Sequence, residues 1–184
     1  MNKKITTCIT IMIMLVLTIL GREDISISSN TKTVETNVKS VNCSYTTKIK
    51  KTKQKKFKAS KNEIRYLSAL VYAEAGIEPY NGKIAVANAV INRVRSKQYP
   101  STIYKVIKQR GQFGPYWNGA LRRELRNYDR GKYKRGSRKS AYTAVKKALS
   151  GTSVIGRRCS FNSASYEIRR PHKNALRIKG HLFW

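Results

Sequence analysis

The stretch from Tyr66 to Val94, YLSALVYAEAGIEPYNGKIAVANAVINRV, constrains the fold more than any other part of the chain. It reads as two apolar helices on either side of a Gly76-Ile77-Glu78-Pro79 break. Ile64, Leu67, Val71, Tyr72 and Ala75 form a helical stripe along the first. Ser60-Lys61-Asn62-Glu63 in front of it fits the S-x-x-E capping box, which gives Glu63 a structural task. Gly76 is the expected stop, and Pro79 bars simple continuation. The second helix, about Tyr80 to Arg95, carries Ile84, Ala87, Ile91 and Val94 on one face, with Val86 and Val90 beside them. A helix apolar over so much of its circumference is expected to be the buried central one.

Glu74 follows Leu70 by four residues and Val71 by three, so it borders the apolar stripe. A carboxyl among apolar neighbours loses hydration, which disfavours its charged form and raises its pKa. A Glu still protonated near neutral pH is a general acid. The alternative is a helix-end Glu whose head reaches water.

The remaining chain is more broken. A short helix is expected from Thr102 to about Lys108. The segment QRGQFGPYWNG, Gln109 to Gly119, reads as a glycine-punctuated loop carrying Phe113, Tyr116 and Trp117. Its aromatics either plug the core or offer a stacking surface for a sugar or a base, with Gln112 supplying hydrogen bonds to a ligand. Leu121 to Tyr128 reads as an Arg-rich helix and Lys132 to Arg138 as a basic loop. Ser137 is placed to cap a helix from Arg138 to Leu149, ended by Gly151. Beyond it come short β-type runs: Val154-Ile155, Cys159 to Asn162, and Leu176 to Trp184. The fold class expected is therefore α+β, a helical core with a small antiparallel β appendage.

Three segments organise the whole. Residues 1–21 combine Lys3 and Lys4 with an apolar run from Ile5 to Leu20, the pattern of a signal peptide or an uncleaved membrane anchor. Residues 22–60 are polar and poor in large apolar side chains, so they read as a disordered basic linker. Its end, Lys48 to Lys58, packs seven lysines into eleven positions, as a tether to a polyanion or as a solvated run. Residues 61–184 are the expected catalytic domain. The formal charge of +30, from 39 Lys+Arg against 9 Asp+Glu, points to a polyanionic partner: nucleic acid, an anionic membrane or an anionic cell wall. The export segment favours the wall over nucleic acid. The three cysteines show no C-x-x-C spacing, and His172 and His181 alone give no zinc-ligand pattern, so neither metal nor cofactor is expected.

Elimination narrows the acids. Glu124 lies inside Arg122-Arg123-Glu124-Leu125-Arg126 and reads as a surface ion-pair partner. Asp129 neighbours Arg130, and Glu167 flanks Ile168 and Arg169. Glu74 and Glu78 remain. Glu78 is either a second catalytic carboxylate or an acceptor for backbone amides of the Gly76–Pro79 turn. Neither histidine has an obvious partner.

The run Val71-Tyr72-Ala73-Glu74-Ala75-Gly76, followed by Glu78-Pro79, Gly82, Ala85-Val86-Ala87 and Asn92-Arg93-Val94, resembles the signature of the SleB/CwlJ family of bacterial spore cortex-lytic and cell wall hydrolases. Tyr99-Pro100-Ser101-Thr102-Ile103, Val106-Ile107, Gly111-Gln112-Phe113 and the tail Ile178-Lys179-Gly180-His181-Leu182-Phe183 continue the likeness in order. The resemblance covers about Arg65 to Trp184. Ile77 departs from the family pattern, and the basic linker stands where the SleB type carries peptidoglycan-binding repeats. The resemblance implies a lysozyme-like α+β domain acting on peptidoglycan glycan strands in the wall or spore cortex, with Glu74 as catalytic acid as in lytic transglycosylases. The expected substrate-binding positions are Gln112 and Phe113, from the resemblance together with the glycine-flanked aromatic loop, and Tyr72 and Glu78 beside Glu74. One carboxylate suffices for that reaction, because the substrate supplies its own nucleophile.

Overall fold

The structure, a computed structural model, describes residues 49–167, 172 and 174–184. The expected export segment and most of the linker lie outside the described residues, as does Cys43, the residue that a bridge to Cys159 would need.

Helix α1, Lys61–Ala75, begins as the sequence requires. The Ser60 hydroxyl accepts from the Glu63 amide at 3.2 Å, while Glu63 accepts from the Ser60 amide at 2.9 Å. Two of the amides that a helix start leaves free are thereby satisfied. The helix buries Leu67, Leu70, Val71 and Ala75. Helix α2, Tyr80–Arg95, has every residue from Gly82 to Arg93 buried, the central element expected from its composition.

Around this pair stand α3 (Ile103–Ile107), the single turn α4 (Gly114–Trp117), α5 (Ala120–Asp129), a 3-10 turn (Lys132–Lys134) and α6 (Gly136–Leu149). Helix α6 packs its Ala141, Ala144, Val145 and Ala148 row against both α1 and α2. The small side chains let the three backbones approach closely. Ser137 does not cap α6, which starts at Gly136; its hydroxyl instead donates to the Gly76 carbonyl just past α1.

Two small antiparallel sheets complete the domain. Strand β1 (Thr52–Lys53) pairs with β2 (Thr152–Ser153). Strands β3 (Phe161–Ser163), β4 (Leu176–Ile178) and β5 (His181–Phe183) form a sheet of order β3-β5-β4, with α7 (Ala164–Glu167) following β3. Of the expected β runs, Val154 and Ile155 are buried core residues just past β2 rather than strand.

The linker boundary moves. Residues 49–60 are not disordered: Ile49, Phe57 and Ala59 pack on the core, and the Gln54 and Phe57 amides donate to the Gly151 and Leu149 carbonyls. The lysines between them stay exposed. Three apolar residues spaced along a basic run are enough to lay it against the domain. Gly151 makes room for this strand: its φ is +96°, and a Cβ there would lie 2.3 Å from the Gln54 carbonyl oxygen.

Asn88 and Asn92, one turn apart on α2, hold the segment after β2. The Asn88 side chain donates to the Thr152 carbonyl at 2.9 Å and accepts from the Val154 amide at 3.0 Å. Asn92 donates to the Gly156 and Arg158 carbonyls, both at 2.8 Å. The loop's buried backbone groups thus find partners on the central helix.

Candidate active site

Glu74 lies in the last turn of α1, half-buried beside the fully buried Leu70 and Val71 of the preceding turn. Burial pushes its pKa up to about 7. Every other carboxylate whose side chain is described has a partner. Glu63 caps α1, and Asp129 takes Arg65 in two bonds of 2.5 and 2.6 Å. Glu124 and Glu78 are engaged as described next. Among these described side chains Glu74 alone makes no hydrogen bond or ion pair.

Glu124 is not a surface residue. Its side chain is 3% exposed and accepts from Arg138 Nε and Nη2 (2.8 and 3.1 Å), Asn127 Nδ2 (2.9 Å) and Tyr133 Oη (3.2 Å). Burial would raise its pKa, but Arg138, Asn127 and Tyr133 together hold it below the usual carboxylate value. The same Arg138 lies over the Tyr72 ring, 4.4 Å from its centroid, and Tyr72 meets Tyr133 edge-on. The local run of arginines concealed this role, because the partners come from a later turn and helix.

Glu78 is 8% exposed and sits against the closing hairpin rather than in its own turn. Its Oε2 accepts from the Gly180 amide at 3.4 Å, and His181 Nδ1 lies 4.0 Å from Oε1. Its backbone carbonyl accepts from Lys83 Nζ. A Cβ on Gly180 would fall 2.7 Å from Oε1, so only glycine allows this approach. The expectation that Glu78 contacts substrate, or anchors the adjacent amides, is corrected: a buried carboxylate with both oxygens facing the hairpin is a tie between distant segments. The Gly180 amide is that tie's other end, while His181 Nδ1 lies beside the carboxylate without a hydrogen bond.

The aromatic loop divides. Phe113 is 1% exposed, with Phe161 of the sheet at 6.2 Å on one side and Arg93 at 5.0 Å on another. It plugs the junction of helices and sheet and presents no stacking face, which corrects its assignment to the substrate surface. Gln112, its neighbour, is exposed. Trp117 is 56% exposed and rests edge-on against Tyr116, so the loop's open ring is Trp117. Tyr72 is half-buried on α1, two residues before Glu74.

A model of the cell wall hydrolase family matches residues 77–184, a span that begins three residues after Glu74. The chain is 44% identical over 48 residues to the spore cortex-lytic enzyme of Bacillus subtilis, a match taking in 26% of this chain and 16% of that protein. It is 37% identical over 62 residues to the spore cortex-lytic enzyme of Oceanobacillus iheyensis, 34% of this chain and 22% of that one. The matched regions thus span less than a quarter of these relatives' lengths. Among solved structures, the catalytic domain of the germination-specific lytic transglycosylase SleB from Bacillus anthracis superposes with a TM-score of 0.53 at 26% identity, covering 68% of this chain and 95% of that domain.

Proposed function

The chain belongs to the cell wall hydrolase family, and from that premise we propose that it cleaves peptidoglycan glycan strands as a lytic transglycosylase with Glu74 as its one acid. The observation that carries this reading is the carboxyl of Glu74, unpartnered and held protonated to about pH 7 by burial. In the proposed reaction Glu74 gives its proton to the oxygen linking N-acetylmuramic acid to N-acetylglucosamine. The resulting carboxylate then takes the proton of the muramic C6 hydroxyl, whose oxygen attacks C1. The glycosidic bond breaks, a 1,6-anhydro ring forms, and Glu74 ends protonated as it began. A pKa near the working pH suits a group that must be acid in one half of a cycle and base in the other.

Glycoside hydrolysis by water ordinarily uses two carboxylates flanking the bond. Glu78, the nearest in sequence, is committed to Gly180 and His181, which favours the one-carboxylate route. The relatives' names suggest spore cortex as the substrate and germination as the occasion; the leader suggests action outside the membrane. Mass spectrometry of purified wall after digestion tests the reaction class. Anhydro-ended muropeptides are expected, and reducing ends alone would assign hydrolysis instead.

A further inference from the structure

We propose that a cleft between the start of α6 and the flank of α1 binds oxyanions carried on the wall polymer: the carboxylates of peptide stems, or the phosphates of a wall-linked glycopolymer. The proposal rests on the wall-polymer reading above and adds a second site to it. The cleft is lined by Arg130, Lys132, Lys134, Arg135 and Arg138, with the Tyr72 ring as its wall on α1. Gly131 and Gly136, at φ of +69° and +61°, bracket the 3-10 turn and fold these residues around a common hollow.

Four of the cleft's five cations are uncompensated. The two acids within reach along the chain are already used: Asp129 is clasped by Arg65, and Glu124 is held by Arg138 from below. Arg130, Lys132, Lys134 and Arg135 are exposed and have no acidic partner among the described residues. Arg138 is fixed by Glu124, so its guanidinium cannot swing away from the Tyr72 ring. Four exposed cations around one immobilised cation over an aromatic ring make a receptor for a compact anion rather than a uniformly basic skin. A lone exposed pair contributes little, but several acting on one group add up and remain sensitive to salt.

The position matters as much as the charge. Ser137, at the cleft's edge, donates to the carbonyl of Gly76 at the end of the helix that carries Glu74. Tyr72 and Glu74 leave that helix on different sides, so the cleft and the acid are about one helix diameter apart, roughly 10 Å. An anion held there would belong to a substituent of the strand being cut or to its neighbour, not to the scissile sugar itself.

The test is binding of the full chain to three preparations: intact wall, wall stripped of phosphate polymers, and glycan strands freed of stem peptides. The variant Lys132→Gln/Lys134→Gln/Arg135→Gln removes three exposed cations that hold nothing in the fold. A charge-matched control, Lys97→Gln/Arg122→Gln/Arg123→Gln, removes three exposed cations elsewhere. The cleft variant should bind intact wall about tenfold more weakly at low salt, and the control less than threefold. A deficit that persists without phosphate but vanishes without stems assigns carboxylates; the reverse assigns phosphates. Equal weakening by both variants, or a cleft deficit seen on duplex DNA and not on wall, would overturn the proposal. Lys134→Glu alone should lower wall affinity further than Lys134→Gln. Because binding is read without cleavage, a failure to find anhydro products would overturn the reaction class and leave this result standing.

Discussion

His181 Nδ1 lies 4.0 Å from Oε1 of Glu78, joining the closing β-hairpin to the turn that follows the Glu74 helix. The Gly180 amide reaches the other oxygen of the same carboxylate. Burial lowers the His181 pKa, and the charge of Glu78 only partly counters it. Burial thus favours the neutral imidazole, and the hydrogen bond from the Gly180 amide is what ties these two segments, far apart in sequence.

Glu78→Gln keeps the shape and leaves an oxygen to accept from Gly180, but removes the charge facing His181. A loss of about 1–3 kcal/mol in unfolding free energy is expected, with turnover per folded molecule within a few-fold of wild type. Denaturant titration and activity on purified wall measure the two. A folded variant with activity reduced a thousandfold would move Glu78 into the chemistry.

Arg138→Ala leaves Glu124 buried and charged with only Asn127 and Tyr133 to hold it. Breaking such a pair costs about 3–5 kcal/mol. The sign with pH follows from the depressed pKa of Glu124: its stabilisation is present above the ordinary carboxylate value and is lost as pH falls through the folded one. The difference between variant and wild type should thus shrink on acidification below about pH 4.5. A difference independent of pH would mean that Arg138 acts through its packing on Tyr72 alone.

Phe113→Ala empties a site at the junction of helices and sheet, and should destabilise by about 3–5 kcal/mol. Thermal unfolding checks it. A variant as stable as wild type would contradict the role of Phe113 as a core plug.

The helices were legible in the sequence because their signals are local. The Ser60–Glu63 box, the stop at Gly76 and the Pro79 restart give α1 and α2 their bounds within the same few residues. The raised pKa of Glu74 was legible for a similar reason, since the apolar stripe it borders is written in the same helix. The roles of Glu124, Glu78 and Phe113 were not. Each is decided by a partner from elsewhere in the chain: Arg138, Gly180 with His181, and Phe161. The turn from Lys132 to Lys134 hid its cleft because loop glycines and a flanking helix create it. The packed part of the linker hid behind its lysines, which outnumber the three apolar residues that anchor it.

The pKa of about 7 at Glu74 also predicts a conflict between stability and function. A carboxyl raised above its unfolded value stabilises the fold while protonated and loses that contribution as pH climbs from about 4.5 to 7. At pH 8 the charged form costs up to about 3 kcal/mol. Glu74→Gln should therefore be more stable than wild type at pH 8 and nearly equal at pH 5. Activity should fall above about pH 7 as the acid form is lost. A variant less stable than wild type at pH 8 would contradict the desolvated setting.

The most direct measurement is the rate of anhydro-muropeptide release by Glu74→Gln protein shown to be folded and wall-bound. The amide keeps the size of the side chain but has no proton to give. General acid catalysis contributes about a hundredfold to ten-thousandfold, so release should fall by at least a hundredfold, with wall binding unchanged within twofold. Release near the wild-type rate would contradict the account.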